Sequence, residues 1–338
     1  MRTPTPARLA GLDLLRGIAV LLVMLRHALP GAFPGAGVVG VVMFFTLSGY
    51  LITGVLARGT GLRRFYARRA LRLVPALVVL VVVVVVVTLV LDPLGEGDLL
   101  GVTVLVALTW TANLPGVHTS AATFHLWTLA TEEQFYLVWP WALLLAVRRR
   151  AGPVLAGAAV LCLLACVATV VWLREDPDLA YALPTSWAVC FVVGGATWWY
   201  RDRLRPWVAG WPAPALAGLL VLGTLSLRGS ALTYLLAGPA VAGLTAVLLL
   251  TWGSRARLGG TALRPLVWLG TVSYAAYLWN YPLTLWLRPS LDSAAGPVAA
   301  VLTVLAAAAS WYAVEQPVAA WWARREELSR DAVAAGSR

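Results

Sequence analysis

Hydrophobic residues along this chain come in continuous blocks rather than in stripes or alternations. Ten blocks, each 16 to 24 residues long, cover approximately residues 12–29, 37–56, 72–91, 124–147, 153–173, 183–200, 212–227, 231–252, 266–287 and 296–314. A helix rises about 1.5 Å per residue, so about 20 apolar residues cross a hydrocarbon core of roughly 30 Å. The pattern predicts an all-α fold, a polytopic membrane helical bundle of about ten transmembrane helices. A further apolar stretch, 99–114, is shorter and carries Trp110 and Asn113. That predicts a re-entrant or interfacial segment rather than a span.

The connections between the blocks are unevenly charged. The N-terminus carries Arg2 and Arg8, and alternate connections after it carry Arg58, Arg63, Arg64, Arg68, Arg69 and Arg72, then Arg148 to Arg150, then Arg201, Arg203 and Arg205, then Arg255, Arg257 and Arg264. The C-terminal stretch has Arg324, Arg325, Arg330 and Arg338, whereas the other connections hold only Arg174, Arg228 and Arg288. Short arginine-rich connections stay on the cytoplasmic side. Both termini are therefore expected in the cytoplasm, with an even number of spans, in the inner membrane of the cell.

Composition agrees with this picture. The 338 residues are 60% apolar, with 12% charged residues and mean hydropathy +0.81, against about 25% charged in a soluble domain. Seventeen tryptophans suit two interfacial belts. The net charge of +11 does not point to nucleic acid, because the arginines sit in short connections between apolar blocks. Lysine is absent. Cys162, Cys166 and Cys190 fall inside apolar blocks without a histidine at metal-ligand spacing, so no disulfide framework and no metal site is expected. The first block is full length and lacks a convincing cleavage site, so it is expected to be retained rather than removed as a signal.

Chemistry is expected where ionisable groups interrupt the blocks. Arg16 and His27 are eleven residues apart in the first block. At about 100° per residue they share one helical face, roughly 16 Å apart along the axis, with Val20 and Val23 between them. Charged groups at membrane depth usually face a protein interior or a cavity, and the alternative is a snorkelling arginine and an interfacial histidine. The basic stretch 61–77 includes Arg68, Arg69 and Arg72. Arg69 and Arg72 stand at i,i+3 and can grip phosphate groups together, although a topology signal alone explains such a stretch equally well. In Thr123 to Pro140, His125, Glu132 and Tyr136 share a face, and Glu132 and Glu133 are expected near the level of His27 at the head of a span. Helix N-termini also favour acids for purely structural reasons. Ser48 precedes Gly49 in the second block and is a weak nucleophile candidate, since no G-x-S-x-G elbow surrounds it. Ser273, Tyr277, Asn280 and Tyr281 put several polar groups into the ninth span. Glu315 is expected to form a salt bridge to the arginine-rich connection.

Six stretches, taken together and in order, carry a resemblance: LDLLRGIAVLLVMLRH, FFTLSGYLIT, RRFYARRALRLVPAL, HLWTLATEEQFYLVWP, SYAAYLWNYPL and VEQP. The chain resembles the acyltransferase-3 family of integral-membrane O-acyltransferases. The resemblance implies transfer of an acyl group, acetyl or another short acyl, from cytoplasmic acyl-CoA to a hydroxyl of a glycan or of a small acceptor such as a macrolide. It needs no metal, and it implies acyl-CoA, a hydroxyl-bearing acceptor and the lipid bilayer as partners. The family's Arg-x10-His pair falls on Arg16 and His27, its R-x-x-R on Arg69 and Arg72, and its paired acids on Glu132 and Glu133. His27 is then the expected base, oriented by Glu132 or Glu133, with Arg16 on the donor path or near the thioester carbonyl. Arg69 and Arg72, with Arg68 beside them, are the expected donor-phosphate site. Ser48, Trp127, Tyr136, Tyr277 and Asn280 are the expected substrate-lining groups. Asn280 stands where the family commonly has a histidine, and an amide cannot titrate near neutrality. Residues 1–320 are expected to form one transmembrane domain and 321–338 a short basic cytoplasmic tail with no appended soluble domain. A polytopic transporter or flippase is the alternative, although no internal repeat supports it.

Overall fold

The structure, a computed structural model, describes residues 9–148, 151–256 and 261–336. Arg2, Arg8, Arg149, Arg150, Arg257 and Arg338 lie outside the described residues, as do the side chains of Arg148 and Arg330. Among the described residues all regular structure is helical. In chain order the α-helices are α1 (Ala10–Ala28), α2 (Ala36–Ala57), α3 (Leu62–Val90), α4 (Leu100–Thr109), α5 (Trp127–Arg148), α6 (Ala151–Trp172) and α7 (Ala188–Trp199). There follow α8 (Arg201–Val208), α9 (Pro212–Thr224), α10 (Gly238–Thr251), α11 (Arg264–Thr271), α12 (Ser273–Leu291), α13 (Ala295–Ser310) and α14 (Gln316–Gly336).

Five stretches are long and apolar enough to cross a membrane: Ala36–Ala57, Leu62–Val90, Ala151–Trp172, Thr233–Thr251 and the continuous Ser273–Glu326. The pair α8 and α9, bent by 87°, makes a sixth if counted as one span. The ten expected blocks fall short of that standard for local reasons. α1 carries Asp13, Arg16 and Arg26, α5 carries Glu132 and Glu133, and α7 is only 12 residues long. The last long stretch contains a reversal. Asp292 adopts φ 46°, and α13 returns along α12 so that Asn280 Nδ2 meets Thr303 Oγ1 at 3.2 Å. α4, with 10 residues, is too short to span, and its C-cap Trp110 is left-handed. Large apolar side chains such as Leu89, Leu105, Leu161, Leu164, Trp172 and Leu305 are exposed on the bundle surface, as suits contact with lipid tails.

Helices in lipid gain little from hydrophobic burial against each other and rely on close packing. Two contacts show how. A Cβ at Gly49 of α2 would lie 2.0 Å from the Phe191 carbonyl oxygen of α7, and one at Gly17 of α1 would lie 2.0 Å from the Leu266 carbonyl oxygen of α11. These approaches draw α1, α2, α7 and α11 into one buried cluster.

Two features depart from the sequence reading. The basic stretch 61–77 is helical from Leu62 onward, about ten residues before the expected start of the third span. Its arginines, alanines and leucines are good helix formers, so the polar segment and the apolar segment make one rod. Glu315 forms no ion pair with arginine among the described residues. It sits on the wide turn Trp311–Glu315, which turns it back along its own helix to accept from Ser310 Oγ at 3.3 Å.

Candidate functional site

α1 runs between two ends of the bundle, and each end holds a cavity. At its N-terminal end Gly11 N–H donates to the Arg255 carbonyl, and Arg205 on α8 reaches the Leu250 carbonyl and Ser254 Oγ. The arginine-rich connections thus gather around this end. At the other end, Gly296 of α13 packs against the backbone of His27 and Ala28.

The cavity on the arginine-rich side has a volume of about 350 Å³ and is lined by Arg16, Ser48, Arg69, Arg72, Glu132, Tyr136, Tyr274 and Tyr277, with apolar residues of α2. Glu132 is its hub. Glu132 Oε1 accepts from Ser48 Oγ in a very short hydrogen bond, accepts from Tyr136 Oη at 2.6 Å, and lies 3.5 Å from Arg69 Nη2. Arg69 Nε donates to Glu133 Oε1 at 2.6 Å, and its guanidinium carbon stands 3.6 Å from the centroid of the Tyr136 ring. Arg16 Nη1 donates to the buried Asp13 Oδ1 at 3.1 Å.

The three arginines expected to hold donor phosphates therefore have different partners. Arg68 also lines this cavity but shares Glu326 with Arg64, at 2.6 and 2.9 Å, on its exposed side. Arg69 is committed to Glu133 and Tyr136. Arg72, exposed toward the same cavity, has no carboxylate within ion-pair distance among the described residues. A charge of that kind is free to take a phosphate.

The second cavity, about 240 Å³, is lined by Arg26, His27, His125, Trp127, Tyr181, Arg228, Tyr277, Tyr281 and Arg288 among others. Its hydrogen bonds fix which ring nitrogen of a neutral His27 carries the proton. Thr303 Oγ1 donates to the Ala299 carbonyl at 2.6 Å, so it accepts from Asn280 Nδ2. Asn280 Oδ1 is then the atom 2.6 Å from His27 Nδ1, and His27 Nδ1 carries the proton. The lone pair of the neutral ring is left on Nε2, which has no hydrogen-bond partner among the described residues. The edge of the ring packs on Tyr281, centroids 5.0 Å apart.

His27 and the two acids do not meet. The sequence reading takes the two acids for the head of a span at the level of His27. In the structure it is His125 that shares the cavity with His27. Glu132 follows seven residues later, about 10 Å further along the helix, and pairs with Arg69 instead. His125 itself was not singled out as a site residue, although the spacing that linked it to Glu132 was visible. Its Nε2–H donates to the Leu278 carbonyl at 3.1 Å, and its Nδ1 is buried without a partner among the described residues. Asp13, the partner of Arg16, was also missed, and its i,i+3 spacing was the available signal.

Val41 and Tyr277 line both cavities. Tyr277 Oη donates to the His125 carbonyl at 3.0 Å and lies 2.7 Å from Thr128 Oγ1. This side chain forms the partition between the Arg72 cavity and the His27 cavity. Trp127, fully buried beside it against Phe45 and Tyr181, is part of the wall. No group of three or more metal-ligating side chains occurs among the described residues.

Comparison with known proteins places these features in context. Residues 9–315 match the family described as "Acyltransferase domain". The peptidoglycan O-acetyltransferase OatA of Listeria monocytogenes is 30% identical over 323 residues, covering 83% of this chain and 50% of that protein. The putative peptidoglycan O-acetyltransferase YrhL of Bacillus subtilis is 27% identical over 91% of this chain and 54% of its own length. The putative membrane-bound transacylase BcsY of Komagataeibacter xylinus is 30% identical over 80% of this chain and 72% of its own. The chain thus spans about half the length of the first two relatives. No solved structure matches.

Proposed function

The chain belongs to this acyltransferase domain family, and on that premise we propose that it is a multi-pass membrane O-acyltransferase. It moves an acetyl or other short acyl group from cytoplasmic acyl-CoA to a hydroxyl of a glycan presented on the opposite side of the membrane. The observation that carries this reading is the pair of cavities meeting at Tyr277, one holding an uncommitted arginine and the other a histidine with a free Nε2. The relatives named as peptidoglycan O-acetyltransferases favour a glycan acceptor.

In this reading the arginine-rich end faces the cytoplasm. Arg72 takes a phosphate of the donor, and Arg16 lies along the route its pantetheine arm follows toward Tyr277. Arg69, through its ion pair, holds Glu132 and Glu133 in place rather than the donor. In the second cavity His27 Nε2 takes the proton of the acceptor hydroxyl. The acceptor oxygen bonds to the thioester carbonyl carbon, the C–S bond breaks, and the departing sulfur receives the proton from His27. The products are an O-ester and CoA thiol. Asn280 acts through His27 as a positioning residue, keeping the proton on Nδ1 so that Nε2 stays available.

The test is turnover of radiolabelled acetyl-CoA by the purified protein in nanodiscs with soluble peptidoglycan fragments. Label recovered as alkali-labile ester on the glycan is the expected result. Release of no CoA thiol above background, in the presence of acceptor, would contradict the reading.

A further inference from the structure

The His27 cavity is lined by Arg26, Arg228 and Arg288 together with His27 and His125, and among the described residues by no aspartate or glutamate. Topology does not explain these arginines. The connections at this end hold only Arg174, Arg228 and Arg288, and two of the three converge on the cavity. Carboxylates are plentiful here, at Asp92, Glu96, Asp98, Glu175, Asp176, Asp178 and Asp292, yet several of them hold loop backbone instead. Asp92 accepts from Glu96 N–H, Glu96 from Ala121 N–H, Asp176 from Asp178 N–H and Asp178 from Gly229 N–H. Of the three, Arg228 has a nearby acid, Asp178 at 3.8 Å. Arg26 and Arg288 have none within ion-pair distance among the described residues.

Guanidinium groups gathered on one cavity with few carboxylate partners are ready to take an anion through charge-assisted hydrogen bonds. Aromatic rings stand beside them: Phe124, Trp127, Tyr181 and Tyr281 line the same cavity. Flat aromatic rings suit the apolar faces of sugars, and about 240 Å³ takes one residue of a glycan rather than a whole chain. We propose that this cavity recognises an anionic acceptor, a hydroxyl-bearing saccharide carrying a carboxylate or phosphate. Arg26 and Arg288 bind the anion and the aromatic wall the ring. The proposal rests on the acyl-transfer reading in taking this cavity for the acceptor side.

The test measures binding separately from turnover. Oligogalacturonate and its fully methyl-esterified form share hydroxyls and differ in charge, and glucose 1-phosphate and methyl glucoside form a second pair. Each is titrated against the full chain in nanodiscs of phosphatidylcholine, following tryptophan fluorescence, with acetyl-CoA turnover measured on the same preparation. At least one charged probe is expected to bind about 10-fold or more tightly than its neutral match, the range for one charge-assisted contact. That preference should weaken with salt and fall in Arg288→Gln, an exposed position, and in Arg26→Gln. Which pair shows it tells a carboxylate from a phosphate. Equal affinity within both pairs, or no binding of any probe, overturns the anionic site even if acetyl-CoA turns over. Competition by phosphatidylglycerol nanodiscs at lipid concentrations that abolish the preference would give the arginines to a lipid headgroup and also overturn it. Charge-selective binding with no acetyl-CoA turnover would sink only the transferase reading.

Discussion

Asn280 Oδ1 lies 2.6 Å from His27 Nδ1, across 253 positions of sequence, and holds the imidazole in one tautomer. The order of bonds behind it, from the Ala299 carbonyl through Thr303 to the amide, leaves one arrangement of donors and acceptors. An amide in this place cannot pass a proton on, but it can decide where the proton of His27 stays.

Asn280→Ala should therefore lower kcat by about 100-fold, the scale of a misplaced catalytic group, while leaving the KM for acyl-CoA unchanged. Asn280→His restores a group able to accept from Nδ1, and is expected to keep kcat within about tenfold of wild type. Steady-state kinetics of the two variants, with kcat and KM separated, check this. Equal loss in both would mean that the side chain serves packing alone.

The three neighbouring arginines should give three different phenotypes. Arg72→Gln should raise the donor KM by about 10- to 150-fold, the equivalent of one charge-assisted contact. Arg68→Gln, which loosens an exposed ion pair with Glu326, should change donor KM and stability little, within about 1 kcal/mol. Arg69→Gln leaves Glu132 and Glu133 without their cation and should lower stability by about 3–5 kcal/mol, read as a fall in melting temperature. An Arg72 variant with unchanged donor KM would remove it from the donor site.

The partition at Tyr277 should set which acyl groups pass. Val41→Ala widens the junction of the two cavities and should raise the rate with butyryl-CoA relative to acetyl-CoA. Tyr277→Phe keeps the ring and loses the hydroxyl bonded to the His125 carbonyl and Thr128, so it should change the acetyl rate more than the chain-length ratio. Competition between the two thioesters reads the ratio directly. A ratio indifferent to Val41 would place the acyl route elsewhere.

Reporter fusions fix the sidedness. Fusion after Arg205 should report the cytoplasm, and fusions at Gly116 and Asp178 the opposite side. A cytoplasmic signal from Gly116 would put the His27 cavity on the donor side.

Much of the site could be read from the chain because charge inside an apolar block stands out. Arg16, His27, Glu132, Glu133, Tyr277 and Asn280 were all visible as polar interruptions, and the helical character followed from block length. Depth was harder. Reading Glu132 and Glu133 as the head of a span put them beside His27, whereas His125 occupies that level and Glu132 lies seven residues further along, at Arg69. Pairing across helices, such as Ser48 with Glu132 or Asn280 with His27, depends on packing that periodicity does not encode. The long α3 was legible only in its apolar part, because a basic segment reads as a connection even when its residues favour helix.

The central claim is that His27 is the base, working on a donor that enters from the opposite end of the bundle. It is tested most directly by kcat of purified His27→Ala protein, with CoA binding measured in the same nanodiscs. The account predicts a folded protein that binds CoA as wild type does and loses about 10²–10⁴ in kcat, the range for removal of a general base. The wild-type pH–rate profile should contain an ionisation that is absent from the variant. Transfer by His27→Ala at near wild-type rate, with an unchanged pH profile, would contradict it.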